Sequence, residues 1–288
     1  MELKGLIYAI VSAVFFGSAG VLIKQGYTQN VTPSELLIIQ YIIAITIMFT
    51  ISMIKYRKEL KLKGKLIIKL AILGTFGNAV MTIALYSAMA YLDVAVATIL
   101  LYTYPSMVAL SSFILYKEKI SRIKILAIIG TFSGCLLVVD LWSGHSMPIS
   151  FIGIGFGLLS AAAYSFMNIY ADTIVEDVPP LVITFISTIF SLFLLMVFNA
   201  DFLPRLSSMP IGVVSNAAML AIFCEIIPLS LLYAAIGYIG PVKTSIISTL
   251  EVPVASLSAF FIMGERLSIP QYAGIALVLL SITILKKE

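Results

Sequence analysis

Two carboxylates sit inside runs that are otherwise apolar: Glu225 in AIFCEIIPLS and Glu251 in ISTLEVPVAS. An ionisable side chain at the centre of a lipid-spanning helix costs roughly 2.5–3.5 kcal/mol or more, so it normally faces a cavity or a partner. The chemistry open to it is narrow. It can bind the ammonium of a cationic or zwitterionic substrate, carry a coupling proton, or lock helices together as a buried hydrogen-bonded acid. Tyrosines could complete such a pocket, because each joins a flat apolar face to a hydroxyl and can stabilise a cation. Tyr86, Tyr102 and Tyr104 lie in apolar runs of the first half, Tyr164 and Tyr170 at the start of the second and Tyr233 in the run of Glu225, whereas Tyr56, Tyr91, Tyr116, Tyr238 and Tyr272 stand near run ends and read as interfacial anchors.

Nothing suggests enzyme catalysis. The single histidine, His145, stands in a connection beside Gly144 and Ser146 without a Ser, His and Asp constellation, and Cys135 and Cys224 lie in apolar runs without metal-ligand spacing. No catalytic residue, metal or other cofactor is expected.

These residues are carried by a chain that is 61% hydrophobic and 11% charged, with a mean hydropathy of +1.10. An ordinary soluble domain is about 25% charged. Ten stretches are long enough to cross a bilayer: approximately 6–23, 36–54, 66–90, 94–116, 123–139, 151–171, 181–198, 211–236, 242–263 and 269–285. Lipid cannot satisfy open strand edges, so the expected fold is all-α, a polytopic membrane protein. The first stretch, ending in Gly17, Ser18, Ala19 and Gly20, could pass for a secretory signal, but it matches the sixth stretch and reads as a retained helix.

With the amino terminus in the cytoplasm, fifteen Lys and Arg fall on inner connections and three (Lys24, Arg205 and Arg266) on outer ones. This positive-inside bias places both termini in the cytoplasm of a multi-pass protein of the cell membrane. The net charge of +4 calls for anionic lipid head groups and no nucleic acid. Lys243 and Glu251 lie eight residues apart, about 80° round one helix, and should have different partners.

The second five stretches echo the first five at an offset of 147 or 148 residues, dividing the chain into 1–145 and 146–288. Residues 85–121 and 232–268 share ten identities in 37 positions, including Tyr86 with Tyr233 and Glu118 with Glu265. An odd number of spans per half forces the two halves into opposite orientations, as in transporters with a midplane site that opens to either side. The repeat pairs Glu225 with the amide Asn78, and Glu251 with Tyr104. Glu118 and Glu265 end the fourth and ninth stretches, where each could act as a gating latch or simply as an interfacial charge that stops the helix.

The stretches LLYTYPSMVALSSFILYKEKIS (100–121) and ISTLEVPVASLSAFFIMGERLS (247–268) resemble the duplicated signature of the EamA family in the drug/metabolite transporter superfamily. In that signature a Pro lies in the helix and a Glu follows about thirteen residues later. One departure is that Val252 separates Glu251 from Pro253, where the family's second copy has Glu followed directly by Pro. The resemblance implies a secondary transporter of a bacterial or archaeal cytoplasmic membrane, most often an exporter of amino acids or related metabolites by alternating access. An exporter of drugs or organic cations would use the same carboxylates and aromatics. The expected partners are a small-molecule substrate, the bilayer and a coupling proton; the sequence leaves the oligomeric state open. Glu225, Glu251, Asn78, Tyr86, Tyr104 and Tyr233 are the expected substrate-binding residues. With no ATP-binding loop in the sequence, a substrate or ion gradient must supply the energy.

The orientation gives a direct test: green fluorescent protein fused after Glu288 will fluoresce, and alkaline phosphatase fused there will stay inactive.

Overall fold

Backbone groups in a lipid environment must be satisfied within their own segment, and the regular structure of the described residues is accordingly helical. The computed structural model describes residues 2–27, 32–117, 120–139, 150–264 and 266–285. Its helices are α1 (Glu2–Tyr27), α2 (Pro33–Lys55), α3 (Gly64–Ile72), α4 (Val80–Met89), α5 (Val94–Leu101), α6 (Tyr104–Tyr116) and α7 (Arg122–Val139). They continue with α8 (Phe151–Asp172), α9 (Pro180–Phe198), α10 (Ile211–Leu220), α11 (Ile227–Ser248), α12 (Glu251–Met263) and α13 (Ile269–Leu285). Seven helical stretches among the described residues are long and apolar enough to cross a membrane, one of them, residues 211–248, kinked at Gly240 (φ 76°). The protein is a polytopic α-helical membrane protein.

Local chemistry sets the helix ends. Thr32 caps α2, accepting from the Glu35 N–H at 3.3 Å while the Glu35 carboxylate accepts from the Thr32 N–H at 2.9 Å, and Pro33 occupies the first turn where no N–H is needed. Ser150 caps α8 in the same way through the Gly153 N–H, and Pro180 opens α9. Lys243, far from pairing with Glu251, bonds Glu2 at 2.9 Å and ties the start of α1 to α11.

Four expected spans are interrupted. Leu73–Ala79, between α3 and α4, and Ala221–Ile226, between α10 and α11, are π-helical. Tyr102 and Thr103 break α5 from α6, and Thr249 and Leu250 break α11 from α12. Pro105 and Pro253 are consistent with the two breaks, whereas hydropathy leaves the π-turns unmarked because it does not register a change of backbone hydrogen-bond partner. The interruptions in the first half recur in the second at an offset of 147 or 148, and so do the left-handed helix ends at Lys117 (φ 54°) and Gly264 (φ 70°).

Packing crosses between the halves. α1 lies against α11 and α12, α8 against α4, α5 and α6, and α2 against α9. Glycines permit the closest approaches. A Cβ on Gly5 would meet Tyr238 and Ile239 at 2.6–2.7 Å, and one on Gly153 would meet Leu92 and Tyr91 at 2.5–3.0 Å, the same contact made in each direction. Helices α7 and α13 pair face to face, and a Cβ on Gly134 would come within 2.6 Å of Val278 and 2.9 Å of the Gly274 carbonyl oxygen. The space a Cβ would need is filled in each case by a side chain or carbonyl of the facing helix, so the helices pack tightly there.

Gly134→Val will therefore force α7 and α13 apart and destabilise the fold by about 1–3 kcal/mol; a lowered melting temperature in detergent, against an unchanged one for a serine at the open position Gly155, checks it.

Candidate functional site

The two π-turns carry the residues of greatest interest. A π-turn adds a residue to the helical turn, shifts the side chains that follow, and recurs at functional sites. Asn78 stands in the first and Glu225 in the second, and both are 5% exposed. Glu225 is held by one hydroxyl: Thr188 Oγ1 on α9 donates to its Oε1 at 2.8 Å. No Lys, Arg or His faces it among the described residues.

Around this carboxylate lie polar atoms that are only loosely matched. Asn78 is near enough to Glu225 to act on its carboxylate, and Tyr233, wholly buried, is near enough to Ser187, yet neither the Asn78 Nδ2 nor the Tyr233 hydroxyl makes a hydrogen bond of close geometry. Leaving such a group unmatched costs about 1–3 kcal/mol. Tyr41 of α2, 2% exposed, is within electrostatic reach of Glu225, Tyr86 and Tyr233, and so closes the cluster from the other side. Ser191 donates to the Gly74 carbonyl at 2.9 Å, tying α9 to the first π-turn.

A second cluster forms at the helix breaks. Glu251 opens α12 and Tyr104 opens α6. At the break the Thr249 N–H bonds to Ile246 O at 3.2 Å in place of Ser245 O, and the released Ser245 carbonyl accepts the Tyr104 hydroxyl at 3.0 Å. The Tyr104 ring lies 4.2 Å from that of Tyr164 and 6.5 Å from that of Tyr102, with Tyr102 itself beside Glu251. Cys224 is within reach of both carboxylates and links the two clusters. A Cβ on Gly17 would stand 2.6 Å from the Glu251 carbonyl oxygen, so α1 presses directly on this break.

The structure thus gathers Glu225, Asn78 and Tyr233 into one buried cluster with Tyr86 nearby, and sets Glu251 and Tyr104 in a neighbouring one. Tyr170 stacks on Phe166 at 5.0 Å. Glu118, Glu265 and His145 lie outside the described residues. Sequence reasoning missed Thr188 and Tyr41. A signal for Thr188 existed: Thr184, Ser187, Thr188 and Ser191 recur at helical spacing and form a wholly buried hydroxyl stripe on an apolar helix. Tyr41 had no such signal, being one aromatic in a uniformly apolar run.

The model of the EamA-like transporter family matches this sequence twice, over residues 3–140 and 151–286. The chain belongs to the EamA-like transporter family. An EamA-like chain of this length has relatives along nearly its whole extent. An uncharacterized transporter of Clostridium kluyveri is 22% identical over 285 residues, covering 96% of this chain and 91% of its own. The uncharacterized inner membrane transporter YicL of Salmonella typhimurium is 23% identical over 293 residues, covering 99% and 96%. A crystal structure with 13% identity superposes with a TM-score of 0.85 over 100% of this chain and 98% of the other, and so shares the fold. The EamA-like assignment makes the chain a transporter and not an enzyme.

Thr188→Val removes the one hydroxyl that bonds Glu225 while keeping its volume. Ligand affinity or transport is expected to fall roughly tenfold, as for loss of a hydrogen bond to a charged group, and Thr188→Ser is expected to retain it; titration of the purified variants checks both.

Proposed function

We propose that this EamA-like protein is a secondary transporter that exports small metabolites, with amino acids and related zwitterions as the best-fitting class. Its ten spans form two inverted repeats, residues 1–145 and 146–288, with both termini in the cytoplasm of the cell membrane. Three facts support that architecture: the recurrence of π-turns, breaks and left-handed ends at one offset, the reciprocal Gly5 and Gly153 contacts, and two family matches along one chain. Alternating access would rock one repeat against the other around a fixed site.

The observation that carries the substrate reading is Glu225, buried with no cation beside it among the described residues and flanked by the loosely bonded Asn78 Nδ2 and Tyr233 hydroxyl. A carboxylate suits an ammonium, and nearby N–H and O–H donors suit a carboxylate. An amino acid brings both groups and would satisfy all three at once. Between substrates, Glu225 is suited to holding a proton, which makes exchange of proton for substrate the natural coupling. Glu251 then lies close enough to shape the field of the same site.

A second reading, export of organic cations, is favoured by Glu251 with the closely packed, tilted rings of Tyr104 and Tyr164, since a carboxylate beside aromatic faces suits a hydrophobic cation.

A thermal-shift panel of amino acids, nucleobases and organic cations against the purified protein separates the two readings. The expected result is stabilisation by a zwitterionic amino acid that Glu225→Gln abolishes while membrane insertion persists. Stabilisation by hydrophobic cations alone, sensitive to Glu251→Gln and insensitive to Glu225→Gln, selects the second reading. An amino acid shift that Glu225→Gln leaves intact overturns the assigned site.

A further inference from the structure

A groove of about 430 Å³ opens at the surface where the connection from α2 to α3 meets the connection from α8 to α9. Five lysines line it: Lys58, Lys61, Lys63, Lys65 and Lys69. Glu59 and Asp177 are the two acids in its wall, which leaves a net charge of +3 (five minus two) around one concavity. Like charges crowded in this way repel one another unless an anion lies among them.

The groove is built across elements that sequence keeps apart. Lys69 donates to the Thr173 carbonyl at 2.9 Å, so a lysine of α3 closes the carboxyl end of α8. That bond fixes the basic α2–α3 connection against the turn that carries Asp177. The wall is not wholly polar, because Leu62 and Leu66 contribute apolar surface between the lysines. Beside Leu66 on the same helix, Ile67 and Ile68 are 41% and 62% exposed on a helical stretch apolar enough to cross the membrane.

We propose that this groove binds the head group of an anionic phospholipid carrying two phosphates, with its acyl chains descending over Leu66, Ile67 and Ile68. The charge balance favours a ligand with more than one negative charge. The apolar wall and the exposed isoleucines favour a lipid over a soluble polyanion. Since the groove joins the α2–α3 connection to the α8–α9 connection, a bound head group would clasp the two parts of the chain together on that face. The inference does not depend on which substrate the transporter carries.

The test uses the purified full chain in detergent, with thermal shifts measured against cardiolipin (two phosphates), phosphatidylglycerol (one), phosphatidylcholine (zwitterionic) and inorganic pyrophosphate. Cardiolipin is expected to stabilise at concentrations at least about tenfold below phosphatidylglycerol, reflecting the electrostatic gain per lysine near an anionic head group. The triple variant Lys61→Gln, Lys63→Gln, Lys65→Gln is expected to lose that preference, while Arg122→Gln with Lys124→Gln is expected to keep it. Equal shifts with phosphatidylcholine, an undiminished preference in the triple variant, or equal losses in both variants would overturn the site as diffuse lipid attraction. A matching shift from pyrophosphate would overturn the lipid assignment in favour of a soluble polyanion. If the triple variant fails to fold, native mass spectrometry of the unaltered protein decides: retention of cardiolipin at a stoichiometry of one supports the groove, and graded loss without a discrete bound state overturns it.

Discussion

In hydrocarbon no water stands ready to satisfy a polar group, and this constraint organises the whole molecule. Apolar side chains can face lipid at no penalty, so the outward surfaces of the helices carry little positional information. Departures from plain helix must be matched within the protein. Here they are collected together: two π-turns, two helix breaks, the buried Glu225, the partly buried Glu251 and the hydroxyl stripe of α9. The Ser191 bond to Gly74 O and the Tyr104 bond to Ser245 O are how the backbone tolerates those departures. Asn78 Nδ2 and the Tyr233 hydroxyl are where matching is loosest.

Rigid and permissive regions are separated accordingly. Along α7 and α13 the contact is backbone on backbone, with Gly134 and Gly274 admitting no side chain. Around Glu225 the helices change hydrogen-bond register within a few residues, and the carboxylate is held by a single hydroxyl. Irregular backbone in a membrane is tolerated where protein or a cavity surrounds it, and such places are suited to structural change.

Much of this could be read from the sequence, and the reasons are physical. Helix existence and end points follow from hydropathy and from caps such as Thr32 with Glu35, and α13 begins and ends where expected. Glu225 was conspicuous because a charge in an apolar run is rare, and the repeat brought Asn78 to attention as its mate. The π-turns left no trace, since they alter which carbonyl an N–H meets and not which residues are apolar. The same blindness hid the role of Tyr104, whose hydroxyl serves a carbonyl released 141 residues away. Thr188 was legible as part of a stripe, but only three-dimensional packing of α9 on the π-turn selects it from Thr184 and Ser187.

The pairing of Asn78 with Glu225 and of Tyr104 with Glu251 bears on where acids can stand in such a chain. Two copies of the first half would place amides and phenols at the centre and no acid at all. Two copies of the second would bring two carboxylates into each cluster, where mutual repulsion would oppose assembly. Only an unequal pair gives one carboxylate per cluster. The inequality of matched positions thus keeps the acids dispersed: a carboxylate placed at position 78 or 104 would set a second like charge beside one already held away from water.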